Sequence, residues 1–329
     1  MRFGTKPVGD ALNAILAHSV AIEGGRLRKG LVLGQGELSA LTAAGYSDVT
    51  VAVLEDGDLP ENEAAKALAE GLGNELSGMR LTDAFTGRVN LVAEGPGVVR
   101  VDADKIAAFN MIDPMITIAT VPDMHQADAD TMLATIKVIS FAVPEVAVRK
   151  AALMLSGAIR FCRPQLKTAK LIVSEIPGGA GDKGVRAIED RLNRLGVALT
   201  GVVKVPHEQP VIATALGASD ADVTLILTGS ATSDVHDVAP EALRHAGGQV
   251  ERFGMPVDPG NLLFLGDLGG KSVIGLPGCA RSPALNGTDW VLSQVVCGIP
   301  VSSADIAAMG VGGLLKEIPT RPQPRRRQK

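Results

Sequence analysis

The sequence predicts an α/β fold: a mostly parallel sheet with helices on both faces, preceded by an α+β N-terminal region with a small β-rich subdomain. From residue 165 onward, apolar β-branched runs alternate regularly with helical patterns. Such alternation is typical of parallel strands joined by right-handed crossovers. Several apolar runs also end on glycine or proline, as buried strands do where they reach the ligand-binding edge of an open sheet.

The first 86 residues predict an α+β region. Helical spacing predicts helices at 10–19 and at 37–44, the second ended by Gly45. A β-branched run predicts a strand at 49–54, and an alanine-rich segment predicts a helix at 61–72.

Residues 87–164 predict a β-rich subdomain with a connecting helix, because prolines and glycines divide this stretch into short apolar runs. The predicted strands are 89–92, 98–101, 117–121 and 134–141, and the predicted helix is 146–155. Arg163-Pro164 is the predicted boundary with the next domain.

Residues 165–318 carry the regular alternation and predict the main α/β domain. Its predicted strands are 169–174, 198–205, 223–227, 249–255, 262–265 and 272–275, and its predicted helices are 185–195, 211–216, 240–246 and 285–296. The remaining residues, 319–329, are basic and include proline, which predicts a solvated, disordered tail.

Composition excludes several classes of function. The 329 residues are 46% hydrophobic and 21% charged, which is typical of a soluble globular protein, and the length predicts two domains or three small ones. A net charge of −4 and an aromatic content of 3% argue against a nucleic-acid partner. Because apolar stretches of about 18 residues and a signal-peptide pattern are both missing, we expect a cytoplasmic protein without a membrane partner. Cys162, Cys279 and Cys297 are too few and too scattered for a disulfide framework or a zinc site.

The loop after the strand 223–227 is the first candidate binding site. It consists of small and hydroxyl-bearing residues: Thr228, Gly229, Ser230, Ala231, Thr232 and Ser233. Small side chains let backbone N–H groups approach a phosphate, and hydroxyls add donors at short reach. The alternative is an ordinary turn between strand and helix that uses glycine and serine for geometry.

Acidic residues follow this loop. Asp237, with Asp234 as the neighbouring candidate, would hold a magnesium ion, since magnesium commonly bridges one or two carboxylates and phosphate oxygens. The alternative for either residue is an N-cap of the helix that starts near Pro240. Lys183, at the start of the helix 185–195, opposes the helix dipole, which is tolerable where an anion binds.

Further candidate binding residues occur where later apolar runs end. They are Pro259, Gly260, Gly275, Pro277, Gly278, Arg281 and Ser282. The glycines and prolines predict tight turns at the mouth of a pocket, and Arg281 with Ser282 has the donors that bind phosphate.

The order of these motifs over roughly residues 168–300 resembles the molybdopterin-binding domain shared by the MoeA/gephyrin and MogA/MoaB families. In those families a Thr/Ser-Gly-Gly-x-Ser loop is followed by an acidic residue, a Pro-Gly-x-Pro stretch and a Gly-Leu-Pro-Gly-Asn-Pro turn. This chain departs from the pattern at Ser230, which replaces a glycine, and at Cys279-Ala280, which replaces Asn-Pro. It also has Ser174-Glu175-Ile176-Pro177 where the family has Thr-Gly-Asp-Glu.

The resemblance implies a molybdopterin-binding protein of molybdenum cofactor biosynthesis, with molybdopterin or its nucleotide form as ligand. It also implies molybdate insertion into adenylylated molybdopterin, a transferase reaction in which Asp237 and Asp182 are the catalytic residues. A homodimer in which residues 1–160 contribute to the pocket is implied as well, with a molybdoenzyme or a cofactor nucleotidyltransferase as further partners.

Two alternatives stay open. The first is a carrier that holds the cofactor, or delivers it to molybdoenzymes, without turning it over, which the altered loop and the missing Thr-Gly-Asp-Glu favour. The second is an unrelated nucleotide-binding enzyme, although the chain contains neither a Walker nor a dinucleotide fingerprint.

Overall fold

The computed structural model describes residues 1–73 and 76–315, so the predicted tail 319–329 lies outside the described residues. The chain forms two compact units. One comprises Met1–Glu94, Val99–His125 and Ala129–Phe161, and the other comprises Gly95–Val98, Gln126–Asp128 and the chain from Cys162 onward. No helix in the described part of the chain combines the length and the apolar character needed to cross a membrane.

In residues 1–73 and 76–162 short strands dominate, with four helices among them. The helices are α1 (Gln35–Ala43), α2 (Glu61–Glu70), α3 (Ala103–Asn110) and α4 (Glu145–Leu155). The strands are β1 (Arg2–Pro7), β2 (Ile15–Leu16), β3 (Val20–Ile22), β4 (Gly25–Leu27), β5 (Asp48–Val53), β6 (Asp58–Pro60), β7 (Met79–Leu81), β8 (Arg88–Ala93), β9 (Gly97–Val101), β10 (Ile116–Thr120), β11 (His125–Ala127), β12 (Met132–Val138), β13 (Ala142–Pro144) and β14 (Ile159–Cys162).

These strands form small sheets. A three-stranded sheet has the order β1-β5-β2, and a four-stranded antiparallel sheet has the order β10-β12-β8-β7. Strands β8, β10 and β12 of the four-stranded sheet lie in the segment 87–164, and β7 precedes that segment.

The predicted helix at 10–19 is wrong. The backbone of Leu16 donates to Leu31 O at 2.8 Å, and Leu33 N donates to Ala14 O at 2.9 Å, so this segment bonds to distant chain rather than to itself. Asn13 also has a φ of +63°, which a helix does not allow. Tertiary pairing has therefore overridden a helical spacing of apolar residues.

The described part of the second unit contains a six-stranded sheet with helices on both faces. Its strands are β15 (Thr168–Glu175), β16 (Ala198–Pro206), β17 (Val223–Leu227), β18 (Gln249–Phe253), β19 (Phe264–Leu268) and β20 (Lys271–Leu276). Its helices are α5 (Val185–Arg194), α6 (Gln209–Gly217), α7 (Val238–His245), α8 (Gly287–Val296) and α9 (Ser303–Ala308), and a 3₁₀ turn spans Gly278–Arg281.

The sheet is mixed, which corrects the prediction of a mostly parallel one in part. The strand order is β16-β15-β17-β20-β19-β18. Strands β16, β15, β17 and β20 pair in parallel, whereas β19 and β18 pair antiparallel. The parallel strands bring their carboxyl ends to one edge, where β15, β17 and β20 lie side by side.

Alternating residues of the central strands pack on opposite faces of the sheet. Leu225 and Leu227 of β17 join a core that includes residues of α5 and α8, and Ile226 joins a second core with α6 and α7. All five residues of β17 are buried, as expected for a parallel strand covered on both faces. The burial of both faces fixes the strand register and with it the positions of the loops at the carboxyl edge.

Candidate functional site

Three loops meet at the carboxyl edge of the sheet, and the side chain of Arg281 joins them. Its Nη1 donates to the carbonyl oxygens of Gly181 at 3.2 Å and Lys183 at 2.5 Å, and its Nη2 donates to that of Thr228 at 2.9 Å. The loop after β20 is thereby tied to the loops after β15 and β17. Partial burial lowers the pKa of the Arg281 guanidinium from its usual value, but it remains a cation at neutral pH.

Gly184 makes this close contact possible. Its φ is +103°, and a Cβ atom built on it would lie 2.6 Å from both Cα and Cβ of Arg281. Any other residue would therefore push the 3₁₀ turn away from the start of α5. The glycine-rich segment before α5 belongs to the site, although sequence analysis singled out only Asp182 and Lys183 within it.

Gly229 lies directly on the end of β15. Its N–H donates to Ser174 Oγ at 3.2 Å, and a Cβ atom on it would lie 2.7 Å from Ser174 O and 3.0 Å from Ile176 N. The structure thus gives this glycine a packing role in addition to the predicted binding role.

Ser174 and His207 form a pair that sequence analysis did not include in the site. Ser174 is 1% exposed, and its Oγ lies 2.8 Å from Nδ1 of His207. Ser174 is the next-to-last residue of β15, and His207 directly follows the adjacent strand β16, which runs in the same direction. That shared position at one sheet edge was the signal that could have identified them.

Asp237 is the N-cap of α7. Its Oδ1 accepts from Val238 N at 2.7 Å and its Oδ2 accepts from Ser233 N at 3.0 Å. Asp234 closes the same loop, since its Oδ1 accepts from His236 N at 2.8 Å. The structure shows the alternative, an N-cap, for Asp237. The carboxylates of Asp234 and Asp237 both accept hydrogen bonds from backbone N–H groups close to them in sequence.

The amides of residues 230–232 remain available in the middle of this loop. The N–H groups of Gly229 and Ser233 are engaged by Ser174 and Asp237, but those of Ser230, Ala231 and Thr232 have no acceptor within residues 1–73 and 76–315. The Thr228 and Thr232 hydroxyls, which are both buried, lie 3.4 Å apart at the base of the loop. Consecutive N–H groups of this kind are the common cradle for an anion.

Asp182 and Lys183 lie on the loop between β15 and α5. Asp182 forms an ion pair with Lys204 at the end of β16, and this hydrogen bond raises the pKa of the lysine. Lys183 contributes its carbonyl oxygen to Arg281, and its side chain is exposed.

Pro259 and Gly260 contact the start of α8, which follows the loop that carries Arg281. The carbonyl oxygen of Pro259 accepts from Gly287 N at 2.8 Å, and a Cβ atom on Gly260 would lie 2.8 Å from the same nitrogen. Their role is therefore to support the segment that follows the Arg281 turn.

The segment Gly275-Leu276-Pro277-Gly278 forms the end of β20 and the start of the 3₁₀ turn. Gly275 lies within β20, where a Cβ atom would meet the buried Phe264 ring at 1.9 Å. Pro277 caps the 3₁₀ turn, and Gly278 has open space where a Cβ would be. Ser282, just after the turn, accepts from Ala284 N through its hydroxyl at 3.3 Å.

A cleft of about 400 Å³ adjoins these loops at the ends of β15 and β16. It is lined by Glu175, Ile176, Pro177, Lys204, Val205 and Pro206. A larger cavity, of about 520 Å³, lies elsewhere in the unit and includes Ser272 near the start of β20, so it opens away from the motif loops.

A metal centre built from protein ligands alone is not found in the described residues, which contain no group of three His, Cys, Asp or Glu side chains placed to hold an ion. Magnesium often binds through only one or two carboxylates together with phosphate oxygens. Asp237 fits that arrangement, because each of its oxygens has one hydrogen bond and a second lone pair.

Residues 168–295 match the family model described as a probable molybdopterin binding domain. The resemblance found in the sequence is thus confirmed over these residues. A search of curated proteins finds no match.

Solved structures that match the chain do so at low identity. A molybdopterin biosynthesis MoeA protein from Pyrococcus horikosii is 13% identical, over 91% of this chain and 75% of that one, with a TM-score of 0.31. The molybdopterin biosynthesis enzyme MoaB from Thermus thermophilus is 22% identical, over 41% of this chain and 99% of that one, with a TM-score of 0.31. A molybdopterin biosynthesis protein from Mycobacterium abscessus is 17% identical, over 41% and 94%, with a TM-score of 0.30.

Proposed function

We propose that this protein binds molybdopterin or its nucleotide form, with a phosphate of the ligand in the loop 228–233 beside Arg281. The observation that carries the proposal is the run of three amides, at residues 230–232, without acceptors in the described structure. Arg281 is bonded to the first residue of the same loop and adds positive charge there. Amides and a guanidinium together form a site for a phosphate group.

The pterin part of the ligand would occupy the cleft at the ends of β15 and β16. Its volume of about 400 Å³ is within the range of small-ligand sites. Ile176, Pro177 and Val205 offer apolar contacts, while Glu175 and Lys204 offer polar groups for the ring nitrogens and oxygens.

Binding of molybdopterin to the full chain under anaerobic conditions is the direct test. We expect saturable binding in a calorimetric titration, and about fivefold weaker binding by Lys183→Ala, since one exposed charge near a phosphate contributes roughly 1 kcal/mol. The control is Lys271→Ala, which removes a lysine from the opposite end of the sheet and should leave the affinity unchanged. A folded wild-type chain that does not bind would refute the proposal.

A second function, molybdate insertion, is proposed for the same site with Asp237 as the magnesium ligand. A bound magnesium ion would neutralise phosphate charge. The role of this chain is to hold the carboxylate, which the N–H groups of Ser233 and Val238 keep in one orientation.

The variant Asp237→Asn distinguishes a protein that inserts molybdate from a carrier that only binds the cofactor. Asparagine is about as good an N-cap as aspartate, so α7 should remain intact. If Asp237 holds magnesium, the variant should lose molybdate insertion while its molybdopterin affinity changes by less than about tenfold. The measurement is formation of molybdenum cofactor from adenylylated molybdopterin, molybdate and Mg²⁺.

The carrier alternative predicts a different result, namely that the wild type also shows no insertion. It is favoured by the ion pair between Asp182 and Lys204 and by the capping role of Asp237, since both proposed catalytic carboxylates already have partners within the protein.

A further inference from the structure

We infer that Arg191 is a positioning residue for the ligand site: from the interior of α5 it fixes the backbone of the loop 277–286, which carries Arg281. The inference rests on the proposed function for what the loop binds. Its structural part rests on the hydrogen bonds of Arg191 alone.

All five N–H groups of the Arg191 guanidinium have acceptors. Nε donates to Asp289 Oδ1 at 2.9 Å, and one Nη1 bond, of 3.0 Å, goes to Ala187 O within α5. The other three go to carbonyl oxygens of the loop: Ala280 at 3.0 Å, Ser282 at 2.8 Å and Ala284 at 2.9 Å. A guanidinium has five donors, so none is left for a ligand.

The three loop acceptors are alternate residues. Ala280 lies in the 3₁₀ turn, and Ser282 and Ala284 follow it, so the bonds to these carbonyl groups hold both the turn and the segment after it against Arg191. Arg281 lies between two bound carbonyls and reaches the loops after β15 and β17 from that position. The orientation of Arg281 therefore depends on Arg191.

Asp289 fixes the far end of the same loop. It lies in the first turn of α8 and accepts from Nε of Arg191 through Oδ1 and from Asn286 N through Oδ2 at 2.9 Å. The Arg191 and Asp289 side chains are 5% and 9% exposed. Burial of an ion pair is expensive and often contributes no net stability, whereas its directed hydrogen bonds specify one conformation.

Lysine cannot replace this residue. Its ammonium group has three donors in a compact head, and it cannot reach five acceptors spread over α5, α8 and the loop. Arg191→Lys keeps the positive charge beside Asp289 and is expected to release loop carbonyls, which makes it the informative variant.

The test compares Arg191→Lys with Leu216→Ala in the full chain. Leu216 is 2% exposed in the core on the other face of the sheet, so its truncation destabilises the same unit without contacting the loop. Stability is read from the fluorescence of Trp290, the single tryptophan, during chemical denaturation, and affinity from anaerobic titration with molybdopterin.

We expect Arg191→Lys to bind molybdopterin about tenfold more weakly than the wild type, and Leu216→Ala to bind within about twofold of it despite its lower stability. Hydrogen exchange of the amides in 278–285 should be faster in Arg191→Lys only. Equal affinities of Arg191→Lys and the wild type, or an equal loss in both variants, would overturn the positioning role.

Hydrogen exchange also separates the two proposals. If the wild type binds no molybdopterin, the proposed function fails, whereas faster exchange in 278–285 confined to Arg191→Lys still supports the structural part of the inference. Unchanged exchange there refutes that part whatever the ligand.

Discussion

Gly275→Ala is expected to lower the free energy of unfolding by about 3 kcal/mol or more, at the upper end of what overpacking a core produces. The added Cβ would lie 1.9 Å from Cε1 and 2.1 Å from Cδ1 of Phe264, on the neighbouring strand β19. Phe264 is fully buried in the core with α6 and α7, so its ring has no space to retreat into. Denaturation followed by Trp290 fluorescence measures the loss.

Gly278→Ala is the matched control, because it adds the same methyl group three residues later in the same turn. Its Cβ would meet no atom within 4 Å, and its φ lies outside the left-handed region, so we expect a change of at most about 0.5 kcal/mol. Similar unfolding midpoints for the two variants would show that β19 and β20 can separate to admit the methyl group.

Gly275 and Gly278 differ in what an added side chain would contact, and this difference bears on the role of the motif. Both were predicted as binding residues on the same grounds, a tight turn at the mouth of a pocket. Gly275 has a sufficient reason in the packing of the sheet, because the ring of Phe264 occupies the position of its side chain. A motif that predicts ligand binding can thus contain a glycine whose position is explained by strand packing.

Local patterns predicted those elements whose own residues carry a clear signal, such as an unbroken apolar run or a helical spacing ended by glycine. The predicted strand 223–227 coincides with β17, and the predicted helix 185–195 exceeds α5 by one residue. The direction of β18 and β19 was not predictable, because an apolar run has the same composition in a parallel and in an antiparallel strand. Helix α3 was missed, although Asp102 caps it through a bond from Lys105 N.

The residues of the candidate site also differ in whether the local sequence could predict them. The loop 228–233 and Asp237 could be predicted as candidates because their residues are close together in sequence and typical of anion sites or caps. The pairs Ser174–His207 and Arg191–Asp289 join residues 33 and 98 positions apart. No spacing rule connects such residues, and only the assembled sheet shows that they support the predicted loops.

The proposed phosphate loop gives the second large effect: Gly229→Ala should weaken molybdopterin binding by about tenfold or more. A Cβ atom here would lie 2.7 Å from Ser174 O and 3.0 Å from Ile176 N, and both are backbone atoms that cannot rotate away. The loop must move off the end of β15 to relieve the clash. Such a shift displaces the amides of residues 230–232 together, and the loss of one or two hydrogen bonds to phosphate corresponds to a change of this size.

The control for this prediction is Gly217→Ala, at the last residue of α6, where a Cβ meets nothing within 4 Å. It tests whether replacing any glycine in the unit affects the ligand, and its affinity should equal that of the wild type. The decisive comparison is titration of Gly229→Ala and Gly217→Ala with molybdopterin, at temperatures where Trp290 fluorescence shows both to be folded. Because the clash in Gly229→Ala lies at the loop and not in the core, its affinity should fall further than its stability predicts. A folded Gly229→Ala variant with wild-type affinity would show that the phosphate does not bind at this loop.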